Sequence, residues 1–218
     1  VCATGGVFSR NTEPGQQQLS EEELRAIADE AHQWGLRTAA HAHGAAGIKA
    51  AIRAGIDTIE HASLVDDEGI RLAAQRKQPV WFSMDIFNSE YTQAEGKKNG
   101  VLEDNLRKDR EVTATQRENF RKAHRAGVRM VFGSDAGVMP HGTAAGQFRW
   151  MVDFGMTPME AIQAATRNAA QALDRERDVG AIAVGRYGDI IAVDGDPTRD
   201  VRLLERVTTV VKGGVVVR

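Results

Sequence analysis

A single cysteine, Cys2, is the only thiol in the 218 residues of this sequence. That excludes an internal disulfide framework and a cysteine-built metal cluster. Flanked by apolar residues, Cys2 is expected to be buried and inert. Long apolar runs are missing as well. None approaches the ~20 residues of a membrane-spanning helix, so no membrane partner is expected. Neither sign of charge is in excess, since 28 Lys plus Arg stand against 30 Asp plus Glu, a formal net charge of −2. A nucleic-acid binder usually carries a basic surplus, and no nucleic-acid partner is expected. No secretory leader is visible, which makes the cytoplasm the default compartment. Low-complexity tracts and solenoid repeats are also absent. What remains, 42% hydrophobic and 27% charged residues, is the composition of a soluble globular protein.

The chain opens oddly. Val1 to Gly6 reads as the end of a buried strand entering a glycine loop, with no initiator methionine and no polar lead-in. Natural termini are mostly loose surface segments. The expectation is a fragment of a longer chain, which also leaves secretion or the periplasm open.

One pattern then repeats. Residues 20–35 predict a helix, with Ser20 and Glu23 forming a capping box and Gly35 the stop. A strand from Leu36 to His41 follows, then a short helix over 45–54 ended by Gly55. Ile56 to Glu60 is the next strand and runs into His61. Further on come a helix over 66–77 capped by Asp66, a strand over 79–84, and a polar excursion over 86–110. A helix over 113–126, a strand over 128–132 and helices over 144–154 and 158–173 complete the series. The last opens with Thr157, Pro158 and Glu160, a cap, a first-turn proline and an acid at the third position.

Alternating strands and helices imply an α/β fold with a parallel sheet. A closed eight-stranded barrel takes ~250 residues. Residues 1–178 therefore suit the C-terminal part of a (β/α)8 TIM-like barrel. Residues 179–218 are β-rich and read as a segment of a small β-sandwich, with strands expected over 181–184, 189–193, 207–211 and 215–217.

The chemistry sits at strand ends. His41 lies in Ala39-Ala40-His41-Ala42-His43-Gly44, His61 in Ile59-Glu60-His61-Ala62, and Asp135 in Gly133-Ser134-Asp135-Ala136-Gly137. In a parallel barrel such residues share one mouth. Two imidazoles and a carboxylate there suit a divalent metal such as zinc, and Asp135 could serve as general base. Each taken alone has a plainer reading: a strand-end histidine is usually a hydrogen-bonded structural residue, and a loop aspartate a turn or cap residue. Their shared position in successive units is what raises the metal reading. His43 is a weaker ligand candidate. His32 and His124, on charged helical faces, read as solvated or packing residues.

The ordered set Thr4-Gly5-Gly6-Val7, His41-Ala42-His43-Gly44, Ile59-Glu60-His61, Gly133 to Gly137 and Ala165 to Ala170 resembles the metal-dependent amidohydrolase superfamily. The branch is that of Xaa-Pro dipeptidases, related carboxypeptidases and imidazolonepropionase-like proteins. The tail from Gly185 to Pro197 resembles the superfamily's returning β-sandwich segment. This resemblance implies a distorted barrel with two Zn2+ ions, His41 and His61 on one and Asp135 on the other. A carboxylated lysine would bridge them, standing directly before the segment that matches Val1 and so outside this sequence. It implies hydrolysis of an amide bond by hydroxide, with Asp135 carrying the proton to the leaving nitrogen.

The implied partner is a small-molecule amide or dipeptide, and a homo-oligomer is the expected assembly. Some similar enzymes hydrolyse the phenylalanine amide of ochratoxin. His141, Tyr91, His43 and Arg10 are candidate substrate contacts, with loop packing the competing role for Phe87 and Tyr91. Three other readings stay open: a mononuclear deaminase or cyclic-amide hydrolase, a non-catalytic barrel binding protein, and a half-site inert by itself.

Overall fold

A computed structural model describes residues 1–218. Four parallel strands form its centre: β1 (Ala39–Gly44), β2 (Thr58–Leu64), β3 (Trp81–Ser83) and β4 (Arg129–Val131), in that spatial order. Val1 to Ala3 adds a parallel fragment beside β1, through Ala3 N–H to the His41 carbonyl and His41 N–H to the Val1 carbonyl, both 2.9 Å. Helices connect successive strands, as parallel pairing requires. They are α1 (Glu21–Gln33), α2 (Ala45–Ala54), α3 (Asp67–Gln75), α4 (Asn88–Glu95) and α5 (Glu103–Arg125). After β4 come α6 (Gly146–Asp153), α7 (Pro158–Gln163), a π-helical turn (Ala164–Asn168) and α8 (Ala169–Ala172). A separate antiparallel sheet follows, β5 (Ile190–Val193), β6 (Val207–Lys212) and β7 (Val215–Val216).

Local chemistry sets the element ends. Ser20 and Glu23 make a reciprocal capping box on α1, and Thr157 and Glu160 do the same on α7. The Asp66 carboxylate caps α3 by accepting from Gly69 N–H. Gly55 closes α2 at φ 106°, a backbone conformation that a side chain would oppose. The core lies between sheet and helices. Ile59, Phe82 and Met84 meet Leu24, Ile48, Ala51 and Phe120 there, all fully buried.

Four sequence expectations change. The 86–110 excursion is largely helical, and α5 begins ten residues before the expected helix. Its first turns are held by ion pairs and polar burial (Lys108 to Asp104, Arg107 to Glu111, buried Asn105 and Asp109), which leave no apolar stripe to read. Residues 181–184 form no strand. A five-residue 3-10 turn (Val201–Glu205) appears instead between β5 and β6. Cys2 is exposed rather than buried, whereas its neighbour Ala3 is fully buried. No helix is long and apolar enough to cross a membrane.

Candidate active site

Parallel strands deliver their C-terminal ends to one side. Ala42 of β1 stands opposite His61 of β2, and the register slips between Ala42 and Gly44, at His43. His41, His43 and His61 consequently cluster. The His41 ring lies 4.8 Å from that of His43 and 4.7 Å from that of His61, edge-on, and His43 and His61 stack at 4.5 Å. Asp85, two residues past β3, and Asp135, in the loop after β4, complete the group. The potential ligand atoms form two sets sharing His61, one with His41 and His43 and one with Asp85 and Asp135, each within 4.8 Å. A cavity of about 240 Å³ opens over them.

Each side chain is aimed by a neighbour. Asp85 Oδ1 lies 2.9 Å from His61 Nδ1, fixing that nitrogen and leaving Nε2 for another contact. Gln116 donates to the same carboxylate at 3.3 Å, and Asn88 bonds its other oxygen. Ser63 Oγ stands 2.8 Å from His43 Nδ1, and the His43 amide donates to Thr4 Oγ1 at 2.8 Å. Gly6 is required by closeness, since a Cβ there would stand 2.8 Å from His41 Nε2. His61, Ala62 and Asp135 hold positive φ of 69°, 47° and 47°. Such strain on non-glycine residues collects at functional sites.

The electrostatics suit a cation. Burial, then the charge of His61, pushes His41 down to about 4 against a smaller opposing hydrogen bond to the Gly5 backbone. Burial lowers His43 well below the usual histidine range. Both rings are neutral near pH 7 and keep a lone pair to donate. For His61 burial lowers the pKa, but Asp85 by charge and hydrogen bond, with Asp135 and Glu60, raises it to about 9. Asp135 is raised by burial and by the neighbouring Asp85. Two carboxylates beside His61 make this corner of the site favourable to positive charge. The donor types, neutral nitrogens and carboxylates with one imidazole backed by an acid, fit a divalent ion.

The structure brings together His41, His43, His61 and Asp135. His141 and Tyr91 line a neighbouring cavity instead. Arg10 is exposed and does not line the cavity at the histidines. The Phe87 ring packs against Gly146 and its amide donates to Gln147, a packing role. His32 bonds Asp57 at 2.8 Å, and His124 lies 3.5 Å from Glu160. Sequence reasoning missed Asp85, Asn88 and Gln116. Asp85 had a signal, an acid just past a strand like Asp135, whereas nothing local marks an asparagine or glutamine on a polar helix.

A family model, the amidohydrolase family, matches residues 1–217. This chain belongs to the amidohydrolase family. It is 33% identical to the ochratoxinase of Aspergillus niger over 219 residues, 98% of this chain and 45% of the relative. A crystallised Xaa-Pro dipeptidase with methionine in its active site shares 37% identity at a TM-score of 0.90, covering 99% of this chain and 53% of the other. A prolidase complexed with N-methylphosphonate-L-proline shares 31% identity at a TM-score of 0.92, covering 100% of this chain and 53% of the other. The chain thus spans about half the length of the relatives it matches. Amide hydrolysis is the chemistry these amidohydrolase relatives have in common.

Proposed function

We propose that this amidohydrolase cleaves the C–N bond of a dipeptide, an N-acyl amino acid or an ochratoxin-like amide, with divalent metal, zinc foremost. The observation that carries the reading is the convergence of three imidazoles and two carboxylates from four neighbouring strands and the loops after them. The parallel sheet is read as about half of a (β/α)8 barrel, because the matched relatives are about twice as long. The bridging carboxylated lysine of the superfamily belongs to the other half in this reading.

His41, His43 and His61 would hold the metal through nitrogens, and Asp135 and Asp85 would add carboxylate oxygens. A bound divalent ion supplies Lewis-acid polarisation of a carbonyl and a water acidic enough to ionise near neutral pH. The chain's own part is positional. Asp85 keeps His61 turned toward the cavity and in one tautomer. The Asn88 side-chain amide donates to Asp85 and reaches Asp135 at 3.5 Å, bridging the two acids. Asp135, at the cavity edge, takes the proton of the attacking water and returns it to the leaving nitrogen.

The test is amino-acid release from a panel of dipeptides and N-acyl amino acids with zinc, cobalt or manganese added, beside metal content by mass spectrometry. Metal-dependent release by the wild type supports the reading. Full metal occupancy with no release from any amide overturns it.

A further inference from the structure

We infer that a second cavity beside the histidines is a binding subsite for the acyl group of the amide, and that it takes a neutral, apolar acyl group carrying a hydrogen-bond acceptor. The inference rests on the proposed amide hydrolysis for the name of the ligand, and on this chain's own geometry for the site.

The cavity measures about 490 Å³, roughly twice the 240 Å³ over the histidines. Val138 lines both, so the two are neighbours across one side chain. The loop that carries Asp135 also builds the second cavity. Val138 N–H returns to the Asp135 carbonyl at 3.1 Å, Gly137 N–H reaches the Met139 carbonyl at 3.1 Å, and Met139 and Pro140 continue along the wall.

The lining sets the ligand class. No lysine, arginine, aspartate or glutamate is among the lining residues. His141, an exposed imidazole, is the one lining group able to carry positive charge, so the free carboxylate of an amino-acid leaving group would meet that single histidine and no fixed cation there. A neutral acyl group meets no such cost. Val101, Val138, Met139 and Pro140 offer apolar surface. Tyr91 supplies direction: its oxygen already accepts from Asn99 at 2.8 Å, so its O–H is left to donate.

Calorimetry with the intact chain tests this through binding alone. The probes are N-acetyl-, N-(4-methoxybenzoyl)- and N-(4-ethylbenzoyl)-L-phenylalanine, which share one leaving group. The methoxybenzoyl compound is expected to bind roughly 10-fold tighter than the acetyl compound, about 1.4 kcal/mol. Val101→Trp, which fills the cavity, should abolish that preference. Tyr91→Phe should weaken the methoxybenzoyl compound by about 3- to 10-fold and spare the ethylbenzoyl one, the measure of one lost hydrogen bond. The near-isosteric Tyr91→Phe keeps the test decisive should Val101→Trp disturb folding. Equal affinity of acetyl and aroyl compounds, no binding of any, or an unaltered preference in the folded variants overturns the subsite. Hydrolysis of the same compounds with added zinc separates the two claims. Cleavage without acyl preference sinks the subsite alone, and acyl-selective binding without cleavage sinks the activity alone.

Discussion

His41 owes its place to an absence, the missing side chain of Gly6. A methyl there would stand 2.8 Å from the ring nitrogen, so Gly6→Ala should push the imidazole aside while the distant core stays intact. The expected outcome is zinc affinity lower by roughly 10- to 100-fold, the order of cost for disturbing a ligand's support, with an unchanged far-UV circular dichroism spectrum. Asp135→Asn separates holding from proton transfer. It should retain most of its metal by mass spectrometry but turn over ~10²–10⁴-fold more slowly, the usual worth of general acid–base action. Asp57 contributes one pH-dependent part of the stability. Burial would raise its carboxyl, but bonds from His32, Thr38 and Arg37 outweigh burial and hold it below the usual range. A depressed carboxylate stabilises the fold above its unfolded pKa of ~3.9, and the contribution vanishes as pH falls through the lower folded value. Asp57→Asn should therefore unfold more easily in urea at pH 7, by about 1.5–3 kcal/mol. The gap to wild type should close on acidification below pH ~3.9. A gap that persists in acid would reject the assignment.

Helices with chemical punctuation were legible in the sequence. Ser20, Gly55, Asp66 and Thr157 act through contacts within a few residues, and each ends its helix where the pattern placed it. Thr157 is the simplest to test: Thr157→Ala removes the hydroxyl half of an exposed capping box and leaves the backbone N–H of that residue on Glu160, a cost of about 1 kcal/mol. That should lower the melting temperature by about 2–4 °C in a chain of this size. The start of α5 was illegible because Lys108, buried at 1% exposure, reaches across to the Ser9 carbonyl and Asn105 to that of Val7. Their partners lie nearly a hundred residues away, beyond any local pattern. The site divides the same way. His41, His61 and Asp135 announce themselves by type and strand-end position, whereas His43 depends on a register slip within β1. Asn88 and Gln116 matter only once α4 and α5 fold over the rim. The π turn at Ala164–Asn168, where Asn168 ties back to the Met130 carbonyl, follows a helix that periodicity runs straight through.

At the scale of the molecule, the antiparallel sheet leaves large apolar side chains in water. Ile191 is 51% exposed, Val215 65% and Val216 66%. Val215 and Val216 stand on the β7 edge and Ile191 on the opposite β5 edge, and a short apolar edge such as β7 invites pairing with another strand. We expect the chain to sediment as more than a monomer, and Val216→Lys to shift it toward monomer without changing its spectrum. A monomer at every concentration would argue against self-association through this edge. The parallel sheet has a direction, and its two ends do different work. His41 and His61 lie toward the ends the strands run to. Asp57, Arg37 and Thr38, with Asp174 locked onto Arg37, sit before the strands begin. Anyone reshaping the selectivity of this scaffold can therefore randomise one rim while the opposite rim keeps the polypeptide folded, and can raise thermal endurance from below without handling a single group that meets the reactant.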